Sequence, residues 1–437
     1  MTRLREVLRI EQKDRACVLA LVLLTVIPLL PEYCAPVLAM GSLVAACRDA
    51  RLRRDALRIG TIGKLLLLYI AYMAVGMLYS AHPLNSASTV LMWLVMFAGY
   101  LTVTTVVFNR RRLEIALLLL SLVAGMVGFI ACCQYILRDL LGVPLPNQLW
   151  FSLDSLVYRY FPLNINLMLG EHRAAATFNN PNVLGEFLVM VLPLTIYYGF
   201  GGRRTTLHLI GRACVLLSLM GIAVSFSRGA YLALLSMLLL IIVTNLRRIT
   251  PLILSLVAAA SLVPEVVISR FLAIGNSTDV SISERFVAWD VTVQAIIQQP
   301  FVGLGPGVSN LWELLQNAGS SAPHSHNLIL QVLVEGGFVA LFLLALVATR
   351  LLQSSVELMG HSPKTHFLGV SFMIFGVAFV VYGMVDYPFL CPKLIGTFLM
   401  ILGFAESCFS LYLQQECVPL RRLIRLPAGK PQRKQKI

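Results

Sequence analysis

The stretch that decides the fold is SSAPHSHNLILQVLVEGGFVALFLLALVATR, residues 320–350. Its apolar part is long enough to cross a bilayer, because about 20 mostly apolar residues suffice for a spanning helix. Two histidines, His324 and His326, precede this apolar part. Polar residues then recur four positions apart: Asn327, Gln331 and Glu335. Residues with this spacing share one face of a helix, so the stretch predicts a spanning helix whose polar stripe faces the protein interior.

The composition of the whole chain supports this interpretation. Of the 437 residues, 58% are hydrophobic and only 13% are charged, whereas a soluble domain carries about a quarter charged residues. The sequence therefore predicts an all-α polytopic membrane protein, with residues 1–437 forming a single transmembrane domain. The net charge of +14 is explained by basic cytoplasmic loops, and no nucleic-acid partner is expected. The N-terminus resembles a signal peptide, but further spans follow directly, so we interpret it as the first helix.

Twelve segments are predicted as spans from their length and apolar character. They are 16–30, 34–47, 65–81, 87–108, 113–137, 183–199, 213–227, 229–245, 250–264, 327–349, 368–385 and 392–413. The apolar run 213–245 is divided in two because Arg228 and Gly229 interrupt it. An even number of spans places both termini on one side of the membrane, and we predict that this side is the cytoplasm.

The basic residues are distributed very unequally between the two sides of this topology. Of the 35 Lys and Arg residues, seven fall on the outer side: Arg138, Arg159, Arg173, Arg228, Arg270, Arg285 and Lys393. An excess of basic residues on the cytoplasmic side is expected from the positive-inside rule.

Two long outer loops with short helices are predicted, 138–182 and 265–326, and their length indicates a function. The basic segment 414–437 is predicted to be a cytoplasmic tail near anionic lipid.

The arginines on the outer side are candidates for anion binding. Arg228 would lie at membrane depth, where a charge costs about 2.5–3.5 kcal/mol on insertion scales. It could extend its charge to the interface, or it could be a fixed cation, since guanidinium binds phosphate groups in a bidentate manner. Arg285 follows Glu284 and could equally form a surface ion pair of little energetic value. Arg173 precedes an Asn-rich turn and leaves the same alternatives open.

The two histidines have three possible roles: polar groups at the membrane interface, metal ligands, or a general base. A metal site would need further ligands, and the outer loops show no obvious carboxylate triad to complete one. No metal ligand is therefore predicted. A neutral imidazole can accept a proton at neutral pH. We expect Glu335, on the helix behind the histidines, to have a structural role that holds His326 in position.

Four stretches of the sequence stand out as motifs. They are RAAATFNNPNVLGEFL (173–188), SFSRGAYLA (225–233), SERFVAWD with QQPFVGLGPG (283–307) and HSHNLILQVLVEGGFVAL (324–341). Together they resemble the bacterial O-antigen ligase and polymerase superfamily. In the ligases a histidine followed by Asn, Ser or Gln precedes a glycine after nine further residues. His326 and Asn327 fit this pattern, because Gly337 follows the nine residues. The same frame begun at His324 would place Glu335 where the glycine should be.

The resemblance implies a glycosyltransferase of the bacterial inner membrane with its active site on the periplasmic face. The donor would be a glycan on undecaprenyl diphosphate, and the acceptor a lipid A–core sugar in ligases or another lipid-linked glycan in polymerases. The family's histidine corresponds to His326, the catalytic base. Its two essential arginines correspond to Arg228 and Arg285, and Arg173 would join them in binding the diphosphate. The supporting residues would be His324, Asn327, Glu335 and Asn182. No metal or other cofactor is implied by that mechanism.

Two other functions remain open at this point. A repeat-unit polymerase of the same superfamily would share these motifs and differ in its acceptor. A lipid or solute transporter would need polar residues along a path through the bilayer, whereas the polar cluster here is predicted at one face. We therefore expect an O-antigen ligase that works by an inverting displacement without a metal ion.

Overall fold

The computed structural model describes residues 14–141, 173–201, 206–244 and 280–420, and these residues are mostly helical. The helices are α1 Arg15–Thr25, α2 Cys34–Leu52, α3 Thr61–Gly76, α4 Pro83–Val106, α5 Arg110–Tyr135, α6 Pro181–Phe200, α7 Thr206–Ser225, α8 Arg228–Thr244, α9 Val280–Gln298, α10 Ser309–Asn317, α11 Leu328–His361, α12 Pro363–Gly383 and α13 Pro392–Leu413. Two short strands among the described residues, β1 Arg58–Ile59 and β2 Val418–Pro419, pair in antiparallel fashion.

Seven helices in the described residues are long and apolar enough to cross a membrane: α4, α5, α6, α7, α11, α12 and α13. The apolar helices α1, α3 and α8 are shorter. This agrees with the predicted all-α polytopic fold. The predicted span 250–264 lies outside the described residues, so the count of twelve spans and their sidedness stay predictions.

Several helices end away from the predicted boundaries, among them α11, which continues to His361 beyond the predicted end at 349, and the two N-terminal helices. Helix α1 ends at Thr25, and a 3₁₀ turn at Ile27–Leu29 contains Pro28, which cannot continue the helix hydrogen bonds. Helix α2 instead extends beyond the predicted end at 47 and continues to Leu52. Its last turns carry Asp49, which forms ion pairs with Arg53 and Arg112. Apolar character alone therefore underestimates the length of this helix.

Helix α5 connects two chemically different ends of the molecule. At its start, Arg112 donates to Asp49 at 2.7 Å and to Asp14 at 2.9 Å. At its other end, the side-chain oxygen of Gln134 accepts hydrogen bonds from two backbone amides of the segment that leads into α6. A helix of 26 residues is about 39 Å long. The ion-paired cluster around Arg112 and the segment after Arg173 therefore lie at opposite ends.

The two helices of the predicted outer loop 265–326, α9 and α10, have a small core of their own. One large apolar core joins α1–α8 with α11–α13. A second core joins α9, α10 and the first turns of α11: Ala288, Ala295, Ile296, Leu311, Leu315, Ala322, Leu333 and Val334. The described part of the predicted loop 265–326 thus packs as a helical unit against the start of α11. Arg285 lies on α9, which has 19 residues and is longer than the short helix expected there.

Helix α11 is interrupted at Gly337, whose backbone has φ +64° and ψ −166°. The break leaves helix carbonyl groups free to accept hydrogen bonds from the Gly-rich loop before α10. Leu304 donates to the Val334 carbonyl at 2.7 Å, and Gly305 donates to the Glu335 carbonyl at 3.0 Å. The span predicted as continuous is therefore two helical segments, joined at the glycine that the ligase pattern specifies.

Replacing Gly337 with alanine should destabilise the protein, because an added Cβ would clash with the Phe301 carbonyl group. A strained backbone conformation costs a residue with a side chain about 1–3 kcal/mol in addition. Gly360→Ala is the matched control on the same helix, since no atom of the described residues lies within 4 Å of a Cβ added there. We expect a lower thermal midpoint in detergent for Gly337→Ala only. Equal midpoints for the two variants would contradict the requirement for glycine at this break.

Candidate functional site

The two histidines lie in a tight turn directly before α11, here called the histidine loop (residues 323–327). The side chain of Asn327 caps the helix, with Oδ1 accepting from the backbone amide of Ile329 at 3.0 Å. Its Nδ2 donates to the Met384 carbonyl at 3.1 Å. His326 has a positive φ of +48°. The cap therefore fixes both the start of α11 and the position of the histidine loop against the end of α12.

His326 lies between His324 and a carboxylate, Asp386. Its Nδ1 is 3.3 Å from Asp386 Oδ1, and its backbone amide donates to His324 Nδ1 at 3.0 Å. The centroids of the two imidazole rings are 4.1 Å apart. The Tyr387 amide donates to Asp386 Oδ1 at 2.9 Å and holds that carboxylate in place. One side-chain N or O atom from each of the three residues lies within 4.8 Å of the others.

The surroundings of this group set the charges of two of its members. Burial, followed by the proximity of His326, lowers the pKa of His324 to about 3, and Arg285 acts in the same direction. Burial alone would raise the pKa of Asp386, but the hydrogen bond with His326 and the charge of the histidines lower it below its ordinary value. His324 is therefore neutral and Asp386 ionised at neutral pH.

The polar stripe of α11 is hydrogen-bonded inside the protein. Gln331 Oε1 accepts from the Ser325 amide at 3.0 Å, and Gln331 Nε2 donates to Glu335 Oε1 at 2.8 Å. Glu335 also accepts from the Tyr387 hydroxyl at 3.2 Å and from the backbone amide of Gly307. The stripe thus links the histidine loop to the Gly-rich loop and to the segment after α12. A bracing role for Glu335 stays a prediction, and these contacts are compatible with it.

Helix α9 brings Arg285 to the histidine loop. Trp289 follows four residues later and hence lies on the same face of the helix. Its indole N–H donates to the Ser325 carbonyl at 2.8 Å. Arg285 is also close enough to His324 to influence its charge. The arginine and the histidines are therefore neighbours, although the Gly-rich loop and α10 separate them in the chain.

Arg228 is the first residue of α8, at the predicted break between two helices. The preceding Ser227 Oγ lies 3.1 Å from the Tyr382 hydroxyl of α12. A Cβ on the following Gly229 would come within 2.7 Å of a Val385 methyl group. Helix α8 therefore starts in direct contact with the end of α12, and the half-buried Arg228 lies beside the segment that carries the carboxylate partner of the histidines.

Arg173 and Asn182 hold the start of α6 against this same turn. Arg173 Nε donates to the Ser225 carbonyl at 3.0 Å, and a terminal guanidinium nitrogen donates to Asn182 Oδ1. The Tyr382 hydroxyl donates to the Asn182 carbonyl at 2.7 Å. The N-termini of α6, α8 and α11 therefore converge around the end of α12. Sequence-predicted site residues from all three elements meet there.

Two acidic residues of this region were not among the site residues predicted from the sequence. Asp386 lies one residue beyond the predicted span 368–385. The chain has only 21 acidic residues, so a carboxylate directly at the end of a span was the signal that could have identified it. Glu186 on α6 is 2% exposed, and its Oε1 has no hydrogen-bond partner among the described residues. It interacts electrostatically with Asp386. Helix α6 therefore contributes an acidic side chain to the same region.

The arrangement combines an imidazole–carboxylate pair with several arginine side chains. An imidazole with one nitrogen against an ionised carboxylate is oriented to accept a proton at its other nitrogen. Guanidinium groups and helix N-termini both favour phosphate oxygens. The fold and this site together describe a polytopic membrane protein with histidine, acidic and arginine side chains gathered at one end of its helices.

The comparison with protein families agrees with this description. Residues 213–345 match the family model described as O-antigen ligase. The matched region contains Arg228, Arg285 and the histidine loop, whereas Arg173 and Asp386 lie outside it. This part of the chain is therefore similar to the O-antigen ligase family, which agrees with the resemblance seen in the motifs. Members of that family are glycosyltransferase-like enzymes of lipopolysaccharide biosynthesis, with activities of the O-antigen ligase or polymerase type. The search of curated proteins found no significant match.

Replacing Glu335 with leucine should lower the stability of the protein. The donors from Gln331 and Tyr387 would lose their acceptor, and an unsatisfied buried polar group costs about 1–3 kcal/mol. Glu335→Gln keeps the shape and one acceptor oxygen, so it should lie between the wild type and Glu335→Leu. Glu357→Gln changes an exposed carboxylate on the same helix and should have little effect. Thermal unfolding in detergent measures this order, and a leucine variant as stable as the wild type would exclude the bracing role.

Proposed function

We propose that the protein is an O-antigen ligase that transfers a glycan from undecaprenyl diphosphate to a sugar of lipid A–core. The reaction would take place on the periplasmic face of the bacterial inner membrane. The observation that carries the proposal is the His326–Asp386 pair, with Arg285 beside it, in a chain whose residues 213–345 match the O-antigen ligase family model. A base can activate an acceptor hydroxyl, and fixed cations can stabilise a diphosphate leaving group.

His326 is the base in this proposal. Asp386 lies against Nδ1 at 3.3 Å, which leaves Nε2 to accept the proton of the acceptor hydroxyl. The carboxylate would hold the ring in this orientation and stabilise the imidazolium ion that forms, as the aspartate does in serine-protease triads. Asn327 and the Glu335 brace would keep the ring in place through the backbone of the histidine loop.

Arg228 and Arg285 are the cations for the diphosphate, with Arg173 adding a third positive charge at the same turn. Negative charge develops on the leaving diphosphate as the glycosidic bond breaks, and preorganised cations lower the barrier to that step. The converging N-termini of α6, α8 and α11 add partial positive charge in the same place. These protein groups can provide the stabilisation that a bound metal ion provides in other phosphate chemistry.

The step itself is a single displacement. The acceptor oxygen bonds to the anomeric carbon of the donor while the bond from that carbon to the diphosphate oxygen breaks. The hydroxyl proton moves to His326 Nε2, and undecaprenyl diphosphate leaves with the bonding electron pair. Attack from the side opposite the leaving group inverts the anomeric configuration. Because the polyprenyl chain stays in lipid, the site would open sideways between helices to admit it.

Replacing His326 with alanine should abolish glycan transfer while the protein still inserts and folds. The measurement is transfer by the purified protein in proteoliposomes, supplied with a lipid-diphosphate glycan and lipid A–core. His361→Ala, at the exposed far end of the same helix, is the matched control and should keep wild-type activity. EDTA should leave the wild-type rate unchanged.

The same assay can reject the proposal in two ways. Near-normal transfer by well-folded His326→Ala protein would exclude the base. Transfer to a second lipid-linked glycan, and none to lipid A–core, would identify a repeat-unit polymerase instead of a ligase. Loss of activity in EDTA with recovery in Mg²⁺ would overturn the metal-independent mechanism.

Arg228→Lys and Arg285→Lys should each reduce kcat by about a hundredfold, a typical loss for one group that stabilises developing charge. Lysine keeps the charge but cannot replace the planar, bidentate guanidinium group. Arg111→Lys is the control, since this half-exposed arginine lies at the opposite end of α5, where it contacts Asp14 at 3.8 Å. If both site variants retained wild-type kcat, guanidinium binding of the diphosphate would be excluded.

A further inference from the structure

The group formed by His324, His326 and Asp386 has the composition of a metal site as well as of a base. Each residue offers one ligand atom, and these atoms lie within 4.8 Å of one another. The sequence alone shows no obvious carboxylates near the two histidines, and for this reason it predicts no metal ligand. Asp386, from the connection between α12 and α13, supplies the carboxylate.

We propose that this group binds a divalent transition-metal ion of the Zn²⁺ class, and that the bound ion inhibits glycan transfer. The binding site stands on the geometry of the three side chains. The inhibitory effect rests on the proposed function, because it requires His326 to be the base. The ion is thus a regulator of the site and has no part in the transfer reaction itself.

The distance between His326 and Asp386, a long one for a hydrogen bond, also fits two ligands of one metal ion. Their Nδ1 and Oδ1 atoms are 3.3 Å apart, whereas charge-assisted N–H···O bonds are about 2.7–2.9 Å long. Zinc binds histidine nitrogen and carboxylate oxygen at about 2.0–2.2 Å, and two ligands at a tetrahedral angle are then about 3.4 Å apart. A zinc ion bound to both atoms at their present separation would therefore have a nearly tetrahedral angle between these two ligands.

The surroundings complete the requirements for a bound ion. The Tyr387 amide holds the carboxylate from outside, which is the usual arrangement for a metal-binding oxygen. The side chains of His326 and Asp386 are 24% and 15% exposed, so an ion can reach them. Two imidazoles and one carboxylate favour Zn²⁺ and similar ions over Mg²⁺ or Ca²⁺, which prefer oxygen ligands. A water molecule would fill the fourth position.

His324 makes the site weaker than a structural zinc site. Its Nδ1 accepts a hydrogen bond from the His326 amide at 3.0 Å, and that bond must be given up or rearranged before the ring can bind a metal ion. The ring must also approach the other two ligands by up to about 1.4 Å, the difference between the 4.8 Å separation and a tetrahedral edge. Reversible binding is therefore expected, and a chelator should remove the ion.

Metal binding and catalysis would use the same imidazole in incompatible ways. With the ion on Nδ1 of His326, the ring keeps its single proton on Nε2. The lone pair that would accept the acceptor's proton is then no longer available, and Asp386 is bound to the ion instead of orienting the ring. The positive charge of the ion also opposes formation of an imidazolium ion. Transfer should therefore stop while the ion is bound.

Zn²⁺ binding to the purified full-length protein, measured by titration calorimetry, tests the site directly. His324→Ala and Asp386→Asn should each weaken Zn²⁺ affinity by at least about tenfold, since loss of a supporting partner alone costs tenfold or more. His82→Ala is the control, because this histidine contacts Glu313 away from the group, and it should bind Zn²⁺ like the wild type. The visible spectrum of the Co²⁺ form should show nitrogen and oxygen ligands and no thiolate, which separates this site from the free cysteines.

Two outcomes would overturn the inference. Unchanged Zn²⁺ affinity in either His324→Ala or Asp386→Asn would exclude the site, and full transfer activity with Zn²⁺ bound would exclude inhibition. The expected result is reversible loss of wild-type transfer in Zn²⁺, recovery on adding EDTA, and no loss in Mg²⁺. If the wild type bound Zn²⁺ at these residues but transferred no glycan under any condition, the metal site would stand and the proposed function would fail.

Discussion

The buried carboxylate of Glu335 is the constraint on which the end of the structure that contains the histidine loop depends. A carboxylate inside an apolar helix must find hydrogen-bond donors or pay a large desolvation cost. Its donors come from three segments: Gln331 on the same helix, Gly307 in the Gly-rich loop and Tyr387 after α12. Gln331 also binds the histidine loop. Satisfying this one carboxylate therefore positions three segments at once, and His326 meets its carboxylate partner as a consequence.

Breaks in the helices place the functional side chains at helix ends. Phe226 and Gly337 have positive φ values of +49° and +64°, and each marks the point where one helical segment gives way to the next. Arg228 follows the first break directly. At the second break, the Gly-rich loop pairs with carbonyl groups that the helix leaves free. Irregular backbone within a membrane protein is tolerated where other protein groups, and not lipid, surround it and satisfy its hydrogen bonds.

Much of the fold could be predicted because its signals are local. Apolar length identified the helices, Arg228 and Gly229 identified the division of one apolar run, and the four-residue spacing identified the buried stripe of α11. The ends of α1 and α2 were less predictable, since a proline and a set of ion pairs decide them. The interruption of α11 at Gly337 was not predicted, although the spacing from His326 already singled out this glycine.

The candidate site was only partly predictable because its members meet through packing of distant segments. Arg228 and His326 could be named from motifs. Asp386 could not, because its approach to the histidine loop depends on the contact between α11 and α12. Without it, the two histidines appeared to lack a carboxylate, and the metal interpretation had no basis. The same residue now explains how His326 could be oriented as a base and why the ring pair could also bind an ion.

The central claim is that the arginines and the His326–Asp386 pair form one site for a lipid diphosphate and its glycan acceptor. The most direct test is a structure, determined by electron cryo-microscopy in lipid nanodiscs, with a non-transferable lipid-diphosphate glycan bound. The account predicts density for the diphosphate against Arg228 and Arg285, with the anomeric carbon facing His326. Density for the diphosphate at the opposite end of α5, near Arg112, or at any place out of reach of His326, would contradict it.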